Sequence, residues 1–243
     1  MTALAPADAG LLAPAEQAGL PVHIHPSTTT TTYAFEYTGE SRRMFLRARA
    51  TPLTPADVPD AWRAAPILHL GPIAAELDAA APWDTFFPTA LIGVTPQGWL
   101  RAWDADGLQR PAPWTAARAI LARADVLVMS AEDVGNDQEA LMGYVALARL
   151  AVVTAGGAGA TLYEHGRRLG WVPSCRAAPV DFTGAGDVFT AGFLIGYHET
   201  GDLLRAAAFA HAAAAFAIEG RGTSGIAPRA AVEARMADVV GET

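Results

Sequence analysis

The sequence predicts an α/β protein whose sheet is mostly parallel and covered on both faces. Short continuous apolar runs, Ile67–Leu70, Ala90–Val94, Val126–Met129 and Leu150–Thr154, are flanked by Gly, Pro and polar turns and separated by helix-like segments. Strands buried on both faces have this pattern. The stretch Pro179–Leu194 then reads as extended chain, a Gly-Ala-Gly turn and a helix, the strand-to-helix connection typical of such sheets. At 243 residues, 51% hydrophobic and 17% charged, the chain can bury a substantial core, and one domain over 1–243 accommodates it.

The elements follow in order. Leu11, Leu12, Ala15 and Ala18 share one side of a short helix that ends at Gly19, and Pro21–His25 reads as the next strand. His23 and His25 share a strand face, but no third metal ligand stands near, which favours a structural role. Tyr33, Phe35 and Tyr37 alternate with smaller or polar residues, Thr38–Ser41 holds a glycine, and Arg42–Arg49 returns; this predicts a hairpin with one apolar face. Pro113–Arg123 reads as a helix with proline in its first turn. Gln138–Leu147 is a second helix, and Asp202 to Ile218, with Asp202 as cap and Gly220 as stop, is the best defined. No fixed-period repeat or long linker interrupts the chain.

The turn at Gly184, Ala185 and Gly186 carries the chemistry. A helix N-terminus with unobstructed amides attracts anions, because its first N–H groups lack partners and the macrodipole is positive there. Asp187 lies inside that site, where a carboxylate repels a bound phosphate. Its presence makes sense if it takes the proton of a hydroxyl attacking phosphorus while the amides hold the charge on the transferring group. For an arbitrary Gly-Ala-Gly-Asp, a Gly-rich turn with Asp187 as a first-turn capping residue reads equally well. The dinucleotide fingerprint would need glycine at Phe189, and a Gly-Lys-Ser/Thr phosphate loop is absent, so an NAD-dependent dehydrogenase fits poorly. Val152–Tyr163 reads as strand, Gly-rich turn and strand, in which Gly156, Gly157 and Gly159 serve either a tight turn or a ligand.

The run Asp181-Phe-Thr-Gly-Ala-Gly-Asp-Val-Phe-Thr-Ala-Gly192 closely resembles the C-terminal signature of ribokinase-like (PfkB) carbohydrate kinases, usually D-T-x-G-A-G-D-x-F-x-x-G. The resemblance implies a three-layer α/β/α sandwich with a mostly parallel central sheet and a small β lid, here the hairpin at 28–50. It implies transfer of the γ-phosphate of ATP, with Mg²⁺, to a hydroxyl of a sugar, polyol or nucleoside. Asp187 is then the catalytic base, and Gly184, Ala185 and Gly186 form the anion hole. Thr154, Gly156 and Gly159 match a T-x-G-x-x-G of the ATP site, Thr183 belongs to the signature, and His211 matches a residue bordering adenine. Ser130 and Asp133 stand where the family has the asparagine and glutamate of N-x-x-E, which makes Asp133 the magnesium-side acid. Asp181, Thr183 and Gly220–Pro228 match a monovalent-cation site of some members, against which Ile226 weighs, since serine often stands there. Lids of this family often pair between subunits, which implies a homodimer through the hairpin.

The match begins at about Asp8. The family's first βα units, with an aspartate and a Gly-Gly motif with asparagine that bind sugar, have no counterpart, so about two units of ~30 residues are missing. Coding sequence upstream of Met1 is the favoured expectation, and a shortened relative the other. The latter supports an alternative function, a catalytically impaired nucleotide-binding protein that acts in regulation or assembly.

The net charge of −8 argues against sequence-independent binding to nucleic acid or to anionic membrane. No apolar run reaches the ~18 residues of a membrane span, and the first residues lack the basic flank of a signal peptide. The cytoplasm is therefore the expected location. Cys175 is the only cysteine, which excludes an intrachain disulfide and a cysteine-based zinc site.

Overall fold

The computed structural model describes residues 1–38 and 41–240. In chain order, β1 (Thr2–Leu4) leads into a 3-10 stretch at Pro6–Leu12 and helix α1 (Ala13–Gln17). Then come β2 (Ile24–Pro26), β3 (Thr32–Thr38), β4 (Ser41–Ala48) and β5 (Ile67–Leu70). Next are α2 (Trp83–Phe86), β6 (Leu91–Val94), β7 (Arg101–Trp103), β8 (Gln109–Pro111) and α3 (Ala117–Leu121). The remainder is β9 (Val126–Ser130), α4 (Gln138–Leu147), β10 (Leu150–Thr154), β11 (Ala160–Glu164), β12 (Arg167–Val172), α5 (Ala185–Thr200), α6 (Leu203–Ile218) and α7 (Arg229–Val240). They form two compact units, one of Met1–Ala65, Pro72–Thr89 and Pro96–Ala116, the other of Pro66–Gly71, Ala90–Thr95 and Ala117–Thr243.

The first unit holds three small strand pairs: β1 with β2 in parallel, and β3 with β4 and β7 with β8 antiparallel. The expected helix at its start is partly 3-10 helix, and of its apolar side Leu12 and Ala15 are half-buried while Leu11 is 69% exposed. The expected strand at Pro21–His25 is displaced to β2. His23 lies edge-on against Trp62, and His25 Nδ1 sits 3.2 Å from Asp57, which places both histidines in packing and ion-pair roles. The hairpin forms as expected, although its turn at Gly39–Glu40 lies outside the described residues. Its buried aromatic is Phe45, while Phe35 and Tyr37 are exposed. Phe45 pairs with Ala34 along one edge of β4 and bridges to Leu108 along the other, and the guanidinium groups of Arg43 and Arg47 lie over its ring.

The second unit is built on a six-stranded sheet in the order β12-β11-β10-β9-β6-β5, with β5, β6, β9 and β10 parallel and β11 and β12 antiparallel. This is an α/β fold with a mostly parallel central sheet. Side chains alternate along each strand. Val126, Val128, Leu150 and Val152 pack with Phe189, Phe193 and Leu194 of α5 and with the alanines of α6. Leu127, Met129 and Ala151 project to the other face and are equally buried, as are Leu141 and Val145 of α4. Both faces are therefore covered. Helix α5 lies close to the sheet and to α6 because the contact positions are small: a Cβ on Gly93 would sit 2.4 Å from Leu194, and Cβ atoms on Gly192 and Gly196 would sit 3.1 Å from the Cα atoms of Ala210 and Ala206.

Candidate functional site

The connection into α5 is extended chain without a sheet partner. The Val180 and Asp181 amides donate to the Ile218 carbonyl at the end of α6, at 2.7 and 3.1 Å. Asp181 then joins two segments. Its Oδ1 accepts from the Thr183 amide at 2.9 Å and its Oδ2 from the Gly222 amide at 3.2 Å, and these bonds hold its carboxyl below the usual carboxylate range. Gly184 follows at φ +80°, a left-handed conformation that glycine adopts without strain, and α5 starts at Ala185. No side chain caps this N-terminus, and a Cβ built on Gly184 or Gly186 meets nothing within 4 Å. Gly186 and Asp187 are exposed, with Asp187 in the first turn. The structure thus places Asp187 beside Gly184 and Gly186 in the turn that the sequence singles out, but the Ala185 amide there is already engaged, donating to the Phe182 carbonyl at 3.2 Å.

Thr154 ends β10, its hydroxyl 3.4 Å from the Met129 carbonyl. The glycine-rich loop after it is a 3-10 turn at Gly156–Ala158 closed by the Ala155 amide on the Gly159 carbonyl. Its glycines differ in what they do. Gly159, at φ +93°, approaches β12 so closely that a Cβ would lie 2.3 Å from the Val172 carbonyl oxygen, whereas Gly156 and Gly157 are exposed with nothing within 4 Å. Gly159 serves packing, while the exposed Gly156 and Gly157 accept through their carbonyls from the Gly159 amide at 3.1 Å and the Ser174 hydroxyl at 2.6 Å.

Asp133 follows β9 in a capping box: its Oδ2 accepts from the Ser130 amide at 2.7 Å and from the Ser130 hydroxyl at 3.1 Å. Among the described residues, no three His, Cys, Asp or Glu side chains gather as a metal site. Magnesium bound on phosphates keeps several waters and needs only one or two carboxylates. One acid at the end of β9 fits that donor set. Asp181, whose two oxygens each accept a backbone amide, fits it less well.

His211 is buried among packed rings, 6% exposed and edge-on to Phe189 at 4.9 Å. Burial lowers its pKa to about 4, so it is neutral near pH 7; the Val172 backbone accepts from it, and its Nε2 has no hydrogen-bond partner.

Three residues with polar roles here were not singled out in the sequence. His69 Nε2 lies 2.9 Å from Thr95 Oγ1, Thr95 donates to Thr190 Oγ1 at 3.3 Å, and Thr190 donates to the Gly186 carbonyl at 2.8 Å. The available signal was positional: His69 is in β5 and Thr95 directly follows β6, at the carboxyl ends of parallel strands, where ligands of such sheets gather.

Fold and turn together define an α/β protein whose helix α5 starts from a glycine-bearing turn with Gly186 and Asp187 exposed. The model of the pfkB family carbohydrate kinases matches residues 104–230, and the chain belongs to that family. A fructokinase of Rhizobium leguminosarum bv. trifolii is 30% identical over 178 residues, which make up 67% of this chain and 50% of that protein. The chain therefore spans about half the length of the curated relative it matches. Among solved structures, a pyrophosphate-dependent kinase of the ribokinase family, in complex with a pyrophosphate analogue and myo-inositol, superposes with a TM-score of 0.78 at 20% identity, over 96% of this chain and 83% of that one. Fructokinase from Xylella fastidiosa with bound ATP gives 0.76 at 19% identity, over 97% and 84%.

Proposed function

We propose that the protein transfers a phosphoryl group to a hydroxyl of a sugar, a polyol or a nucleoside. The observation that carries this reading is the exposed Asp187 in the first turn of α5, directly after Gly184 at a left-handed φ and the exposed Gly186. Asp187 accepts the proton of the attacking hydroxyl, and the charge on the transferring group falls on the amides of Gly184, Ala185 and Gly186. Of these donors the Ala185 amide must first leave the Phe182 carbonyl, to which it donates at 3.2 Å. Bound magnesium would neutralise the donor's phosphates, with Asp133 as its acid on the protein side, acting through water. Asp181 braces the turn against the Gly222 loop.

ATP is the donor we favour, because Gly156 and Gly157 leave exposed backbone beyond the phosphate turn. His211 and Thr183 belong to that donor site, with the imidazole bordering the base. Pyrophosphate is the competing donor, used by a structural relative. Transfer assays with each donor over a panel of sugars and polyols separate the two. Replacing Asp187 with Asn should lower turnover by about 10²–10⁴-fold and leave donor affinity within a few-fold. Loss of donor binding to the same degree would remove the base assignment. A wild-type protein stabilised by nucleotide that transfers to no acceptor would support the impaired-binding alternative.

A further inference from the structure

Three side chains outside the signature turn are joined to it in a fixed order. A hydroxyl has one proton to give. Thr190, fully buried, gives its proton to the Gly186 carbonyl at 2.8 Å, so its oxygen accepts from Thr95. Thr95 has then used its own proton and accepts from His69, which must carry its hydrogen on Nε2. The ring lies over Gly71, where a Cβ would come within 3.3 Å of Nε2. The chain thus runs from the carboxyl ends of two parallel strands into the first turn of α5.

Its end point matters. The Gly186 carbonyl and the Asp187 amide belong to the same planar peptide and point in opposite directions, so holding one aims the other. We infer that His69, Thr95 and Thr190 are positioning residues that fix the plane of the Gly186–Asp187 peptide, and so the orientation of the first turn of α5 from which Asp187 acts. This rests on the phosphotransfer reading for its effect on rate, but not for its effect on the turn. Thr200, at the other end of α5, makes the same bond to a carbonyl four residues back, that of Gly196, at 2.7 Å, and accepts from the Asp202 amide at 3.2 Å; among the described residues no strand side chain donates to it. It is the internal control.

The test compares His69→Leu, Thr95→Val and Thr190→Val with His69→Gln, Thr95→Ser and Thr190→Ser, which retain a donor or hydroxyl, and with Thr200→Val. Removing the relay should lower kcat by about tenfold with KM for donor and acceptor little changed, and the conservative variants should restore it. Thr95→Val and Thr190→Val combined should cost little more than either alone, because one break severs the chain. Amide hydrogen exchange of Val188 and Phe189, read in the absence of substrate, should quicken in the relay variants and not in Thr200→Val. Unchanged exchange in both His69→Leu and Thr95→Val overturns the inference, as does a serine variant as impaired as the valine one. A wild-type protein without transfer activity removes the proposed function, and the exchange data still decide the relay.

Discussion

Asp181 and Glu219 are carboxylates close to the signature turn, and both are engaged in holding segments together. Glu219 receives both terminal nitrogens of Arg235 at 2.8 Å and the Ala178 amide at 3.1 Å, while Arg235 also donates to the Arg176 carbonyl. The lead-in strand, the end of α6 and α7 are stitched at this point. The Arg235 guanidinium holds Glu219 down to about 2, from an ordinary 4.5. Because the folded state prefers the ionised form, its contribution is complete above about 4.5 and is lost as pH falls toward about 2. Thermal unfolding of the wild type should therefore weaken through that window, and Glu219→Gln should flatten that part of the profile. Parallel acid limbs in the two proteins would contradict this. None of these bonds is legible in a sequence, since Asp181 and Gly222, or Glu219 and Arg235, meet only after the chain has folded. The signature turn was legible because its amides, glycines and carboxylate are contiguous.

The helices differ in how well sequence pattern anticipated them. Helix α4 runs over Gln138–Leu147 as expected, and α6 over Leu203–Ile218 begins on an Asp202 side chain that accepts from the Leu204 and Arg205 amides. Local caps and stops decided both. Helix α3 covers only Ala117–Leu121 of the expected Pro113–Arg123, because Trp114 is drawn into a stack on Trp99, with ring centroids 5.4 Å apart. Tertiary packing prevailed there over the N-terminal proline. Strand β12 escaped notice because Arg167–Val172 is an edge strand with no continuous apolar run. The alanine-rich face of α6, ambiguous by itself, is explained by the glycines opposite it on α5. Gly192→Leu should force these helices apart and cost about 1–3 kcal/mol by overpacking, lowering Tm by several degrees. Gly143→Ala, in an exposed stretch of α4 with nothing within 4 Å, should instead raise stability by about 0.5–1 kcal/mol. Equal Tm shifts for the two would show that the α5–α6 seam is not tightly packed.

At the scale of the whole molecule, the two units interleave along the chain: β5 and β6 belong to the second unit, yet each is followed by a segment of the first. A fragment of residues 117–243 retains the signature, the glycine-rich loop and α5 to α7 but lacks β5 and β6. It should show no cooperative thermal transition, because β9 loses a parallel neighbour and α5 loses the Gly93 surface under Leu194. A sharp unfolding transition in that fragment would mean that the sheet closes without them. Among the described residues, no helix is long and apolar enough to cross a membrane.

That interleaving also sets a timetable for synthesis. Chains leave the ribosome N-terminus first, at about 5–20 residues per second. Strands β5 and β6 emerge early, and the helix that packs on β6 starts only at Ala185. A nascent chain therefore reaches β5 and β6 well before the α5 residues whose Leu194 lies against Gly93 in the folded protein.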